Sequence, residues 1–176
     1  MYFIPGILIT AVTFPGVIVH EFAHYLFCKL TNTFVYEICF FRFGNPSGYV
    51  IHDKPKDGKK TLIISIGPFL VNTILGMLIT MYSALAIIKF NAGTVLDFII
   101  LWLGVSIAMH SFPSTGDAKS IMAAVKSEET SLMLKILCYP IVGLIYIGAF
   151  GSAFWLDLVY GMGVTIGAAK MVANMF

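Results

Sequence analysis

Along this chain the apolar residues come in long unbroken runs. They neither alternate as in a half-buried strand nor keep to one stripe as on a surface helix. The first run covers about residues 3–30, and the next two about 61–90 and 95–112, with only Asn91-Ala92-Gly93-Thr94 between them. Two more follow at about 132–152 and 155–174, after the helix-start signal Ser127-Glu128-Glu129. Roughly 20 apolar residues cross the hydrocarbon core of a bilayer as a helix. The pattern predicts an all-α, multi-pass membrane protein of about five transmembrane helices. Pro15-Gly16 predicts a kink or break in the first helix and Pro140 a kink in the fourth, while Gly163 with Gly167 predicts a small-residue face for close packing of the fifth.

Between the first and second runs the pattern changes. Thr33-Phe34-Val35-Tyr36-Glu37-Ile38-Cys39-Phe40-Phe41-Arg42-Phe43 is rich in aromatic and β-branched residues, Gly44-Asn45-Pro46-Ser47-Gly48 is a strong turn signal, and Tyr49-Val50-Ile51-His52 follows. This reads either as a small membrane-associated β-hairpin or as a plain interfacial loop. A hairpin there would offer a strand edge able to hold an unwound substrate by main-chain hydrogen bonds.

Composition sharpens this picture. Of 176 residues, 59% are hydrophobic and 11% charged, with a mean hydropathy of +0.90. That leaves one membrane-embedded domain, residues 1–176, with a core at about 3–120 and additional spans at about 132–176. The net charge of +2 comes from lysines scattered along membrane-flanking segments, so a bilayer is the expected partner and nucleic acid is not. With five spans and the N-terminus outside, every lysine and arginine except Lys89 falls on the cytoplasmic side, which places the protein in the cell membrane in that orientation. Cys28, Cys39 and Cys138 are odd in number and far apart, so no disulfide framework is expected.

Within the first apolar run stands His20-Glu21-Phe22-Ala23-His24. Residues four apart share a helix face, so the two imidazoles can converge on one metal ion, and Glu21 is placed to take a proton from a water there. Two histidines and a glutamate inside a lipid-spanning segment cost several kcal/mol unless they have partners, which marks the site as functional. A hydrolytic zinc site commonly has three protein ligands and an open position. The third is sought at the end of the third run, in His110-Ser111-Phe112-Pro113-Ser114-Thr115-Gly116-Asp117, where Asp117 and His110 are both candidates. Asp117 also suits a helix cap. Asn72, in the second run, carries an amide that needs a partner in lipid.

The motif within a membrane helix, Gly67-Pro68 with Asn72 in the next run, and Pro113 with Asp117 after the third resemble the site-2 proteases, which are intramembrane zinc metalloproteases. The resemblance covers about residues 3–120 and, for want of a long insert, lacks a PDZ module. It implies one Zn2+ per chain on His20, His24 and Asp117, Glu21 as general base, and Asn72 holding substrate or the polar network of the site. His110 is then free to stabilise the oxyanion. The expected activity is hydrolysis of peptide bonds in membrane-spanning or membrane-associated proteins. The alternative is a non-catalytic zinc-binding membrane protein that holds substrates or partners, against which Glu21 speaks, since metal binding alone does not need it.

Overall fold

The computed structural model describes residues 6–55, 57–127, 130–152 and 154–175. Its first apolar run is not one helix. Helix α1 (Gly6–Val12) meets α2 (Phe14–Leu30) at Thr13 with a bend of 84°. Pro15 lies in the first turn of α2, where its missing N–H leaves no bond unmade, so the break falls before the Pro15-Gly16 pair and not at it. There follow β1 (Val35–Cys39), β2 (Tyr49–His52), α3 (Gly58–Ile88), α4 (Val95–Met109), α5 (Thr115–Lys126), α6 (Leu132–Ser152), α7 (Leu156–Met162), a π-helical turn (Gly163–Gly167) and α8 (Ala168–Ala173). Glu128 and Glu129 of the expected helix start lie outside the described residues.

Three units are long and apolar enough to cross a membrane: α3, α6 and the continuous stretch Leu156–Ala173. The bent α1–α2 pair makes a fourth if it is one span. The expected five spans are thus corrected to three or four among the described residues. Helix α4, with 15 residues, rises only about 22 Å against a hydrocarbon core of about 30 Å. On α3 the order of a soluble helix is inverted. Ser65, Asn72, Gly76, Thr80 and Ser83 are buried, whereas Leu70, Ile74, Leu78 and Tyr82, one turn apart, are exposed. Acyl chains tolerate such an apolar stripe and water does not, so this face marks membrane association.

Small residues let the helices touch backbone to backbone. A Cβ on Gly104 would stand 2.2 Å from Thr80 Cγ2 and 2.8 Å from Gly76 O, which brings α3 and α4 into direct contact. Gly16 does the same for α2 against α4, since a Cβ there would stand 1.9 Å from the Ser106 carbonyl oxygen. Gly163 and Gly167 do not serve the packing expected of them: a Cβ at either meets nothing within 4 Å. Because the atom facing Gly16 is backbone and cannot rotate aside, Gly16→Ala is expected to destabilise the fold by about 3 kcal/mol. A lowered unfolding temperature in detergent, followed by circular dichroism, is the check.

The polar window folds as the hairpin and not as a plain loop, with β1 and β2 antiparallel and Cys39 opposite Tyr49. Its turn is closed by the Arg42 N–H donating to Ser47 O at 2.7 Å. The Tyr36 hydroxyl donates to Asp53 and the Tyr49 hydroxyl to Glu37, and these bonds hold both phenols above their ordinary range. Phe34, Tyr36 and Phe43 are exposed, as suits a membrane interface. Beyond the hairpin, Ala118, Ile121 and Val125 of α5 pack on Cys138, Val142 and Ile145 of α6, with Leu62 and Ile66 of α3 against them. This cluster pins α5 and so sets where its first turn stands. The three cysteines are free.

Candidate metal centre

His20 and His24 are one turn apart on α2 and buried, with ring centroids 4.9 Å apart. Each ring is oriented by a main-chain carbonyl. His20 Nδ1 lies 2.7 Å from His110 O, past the end of α4, and His24 Nδ1 lies 3.0 Å from Ile64 O on α3. A carbonyl only accepts, so the proton of each neutral ring is on Nδ1 and the lone pair on Nε2. Both lone pairs are thereby left for a cation.

The third group is Asp117, which stands both in the helix start and beside the two histidines. Ser114, and not Asp117, is the N-cap of α5; Asp117 is the third helical residue of a capping box. Its Oδ2 accepts from Ser114 N at 2.8 Å and Ser114 Oγ at 2.7 Å. Its Oδ1 faces His24 Nε2 at 3.5 Å. The cap fixes one carboxylate oxygen and so aims the other. One ligand atom from each of His20, His24 and Asp117 lies within 4.8 Å of the others. Two imidazole lone pairs and a carboxylate facing one point repel unless a cation stands among them, and nitrogen and oxygen donors in a set of three suit zinc. Tetrahedral zinc with bonds of about 2.1 Å sets its ligands about 3.4 Å apart, close to the His24–Asp117 spacing.

These groups open onto a cavity of about 660 Å³. Glu21 lies on its wall with no hydrogen-bond partner among the described residues, and Gly48 of the hairpin turn packs against it: a Cβ on Gly48 would stand 2.6 Å from Glu21 Cγ. Of the hairpin strands, β2 lines the cavity, through Tyr49, Val50 and His52, while no residue of β1 does. The edge of β2 away from β1 is unpaired among the described residues. Ser152 and Asp157, at the corner between α6 and α7, line the cavity as well. No sequence signal marked them, because the corner reaches the cavity only through packing: Tyr160 bonds Thr73 at 2.7 Å and stacks near Phe112, with centroids 4.9 Å apart.

His110 and Asn72 stand differently from what the sequence suggested. The Thr13 hydroxyl donates to Ile9 O at 2.8 Å, so the His110 Nε2 found 2.8 Å from that hydroxyl is the donor. A neutral His110 has then no N–H left for an oxyanion, and its ring lies outside the group of three. It serves the site through its carbonyl. Asn72 is fully buried and does not line the cavity, so it has no access to substrate. Its amide donates to Gly16 O at 3.1 Å, Ile107 O at 3.1 Å and His110 O at 3.2 Å, joining α2, α3 and α4 at the carbonyl that orients His20. Asn72→Leu, of similar volume but without donors, is expected to weaken zinc binding about 10- to 100-fold, the usual effect of losing an outer partner of a ligand. Competition against a chromophoric chelator measures it.

A family model, DUF3267, described as "Putative zincin peptidase", matches residues 13–112, more than half of the chain. The chain belongs to the DUF3267 family. The match takes in His20, Glu21, His24, Asn72 and His110 and ends before Asp117. No curated protein and no solved structure matches the chain. The resemblance to the site-2 proteases is overturned by this match, which is to a different family. A helix with two histidines one turn apart and a glutamate beside the first answers a need of zinc hydrolysis in general, so the motif does not tell one family of such enzymes from another. Membership in DUF3267 supports a metallopeptidase activity and implies zinc as its metal.

Proposed function

We propose that this DUF3267 protein is a membrane-embedded zinc endopeptidase, with one zinc ion per chain, acting on peptide bonds of membrane-spanning or membrane-associated proteins. The observation that carries the reading is the convergence of one ligand atom each from His20, His24 and Asp117 beside Glu21, which lies on the cavity wall with no hydrogen-bond partner among the described residues. Zinc held by the three would polarise the scissile carbonyl and make water a better nucleophile. Glu21 would take the proton from that water and pass it to the leaving amine. Strand β2, which lines the same cavity as Glu21 and has an edge unpaired among the described residues, would hold the substrate extended, because a helical substrate has its carbonyls already bonded and shielded. An N-terminus outside and a site toward the cytoplasmic leaflet of the cell membrane would put every lysine and arginine but Lys89 on the cytoplasmic side if α4 carries the chain back across the bilayer.

The test is cleavage of a single-span substrate with a soluble flank, incubated with the zinc-loaded protein in vesicles and mapped by mass spectrometry. Cuts within or at the border of the apolar segment are expected. Cuts confined to the soluble flank would leave a peptidase but remove its intramembrane character.

A further inference from the structure

We infer that Pro68 is a positioning residue for the metal centre: by lacking an N–H, it releases the Ile64 carbonyl from helix α3 so that this oxygen can orient His24. The inference rests on the reading of His24 as a metal ligand.

In an uninterrupted α-helix the carbonyl of residue i accepts from the N–H of residue i+4. For Ile64 that partner is residue 68, and residue 68 is proline, inside α3 and buried. A proline there leaves one carbonyl without its helical donor and costs about 3 kcal/mol relative to a good helix former. A buried carbonyl without a donor is itself unfavourable. Here it is not left so, because His24 Nδ1 lies 3.0 Å from Ile64 O. The residue before the proline completes the arrangement. A Cβ on Gly67 would stand 2.0 Å from Phe27 Cδ2, so glycine lets α2 approach α3 closely one turn beyond His24. Gly67 brings the helices together and Pro68 supplies the acceptor.

His20 is served by the same device in another form. Its acceptor is His110 O, at the C-terminal end of α4, where a carbonyl has no helical donor either. Both imidazoles are thus held, ring and tautomer, by carbonyls that regular helix would have consumed. A carboxylate could do this only by adding a buried charge. A released carbonyl fixes Nδ1–H without one.

The proposal separates two properties that a merely structural proline would move together. Pro68→Ala restores an N–H at 68 that competes for Ile64 O. The variant is expected to unfold at a higher temperature than wild type, because the helix gains a bond and loses its proline, yet to bind zinc about 10- to 100-fold more weakly. Zinc affinity is read by chelator competition, and 15N spectra of the histidine rings in the zinc-free protein should show His24 losing its uniform Nδ1–H form. A second variant isolates the N–H from the ring. An ester in place of the amide at position 68, built from the hydroxy-acid analogue of alanine, has no N–H and no pyrrolidine, and should restore wild-type zinc affinity. Wild-type zinc affinity in Pro68→Ala overturns the proposal, and so does an ester variant as weak as Pro68→Ala. A wild-type protein that binds no zinc at all would instead remove the metal reading of His24, while the ring spectra still report whether Pro68 sets its tautomer.

Discussion

Glu21→Gln is expected to lower cleavage of a membrane substrate about 10²- to 10⁴-fold, the range that general-base catalysis contributes, while the protein keeps its zinc. The separation follows from geometry. Glu21 is next to His20 in sequence but one step round the helix, so it is not among the three groups whose ligand atoms converge. Its carboxylate has no hydrogen-bond partner among the described residues, and its neighbour Gly48 supplies no side chain to hold it. Glutamine keeps the volume and the packing against Gly48 but accepts no proton. Zinc content by atomic emission, together with initial rates on one substrate, decides the matter. Loss of zinc along with activity would mean that Glu21 is a ligand, and full activity would mean that the proton goes elsewhere.

Asp117→Ala is expected to weaken zinc binding by more than the about 100-fold that loss of an outer partner costs, because it removes a ligand and leaves two imidazoles with an open side. Asp117 also belongs to the capping box of α5, so the result alone would not tell ligand from cap. Ser114→Ala tells them apart. It removes the hydroxyl that caps α5 and donates to Oδ2 but leaves Oδ1 in place, so it should cost about 1 kcal/mol of stability and spare most of the zinc affinity. Equal loss of zinc in both variants would show that Asp117 acts only by holding the helix start. Activity should follow zinc occupancy in each, and chelation of the wild type followed by zinc addition should remove and return it.

Several parts of this arrangement were open to reading in the chain itself. His20 and His24 share a face because any helix places residues four apart together, so their pairing needed no tertiary information. The hairpin was legible in part, since the turn signal at 44–48 between two β-rich stretches fits a hairpin as well as a plain loop, and the strand pairing that decides between them is seen only in the fold. The span count was not. Apolar runs look alike whether they cross a bilayer straight or bend, and only the fold shows that the first turns through 84° at Thr13 and that α4 is short. The glycines show the same limit. Gly16 and Gly104 stand at helix crossings and Gly163 and Gly167 do not, a difference set by where neighbouring helices pass and not by local spacing.

The sequence by itself determined the chemistry on offer: two imidazoles and a carboxylate on one apolar helix, an acid after the third run, and a membrane to put them in. These follow from residue type and helical period, which are local properties. Only the tertiary structure decided which atoms meet. It chose Asp117 over His110 as the third group because the capping box of α5 turns one carboxylate oxygen toward His24 while Thr13 engages the N–H of His110. It made Asn72 a brace instead of a substrate contact because the amide lies where three helices cross. Such roles depend on directions between elements far apart in the chain, and those are fixed only when the helices pack.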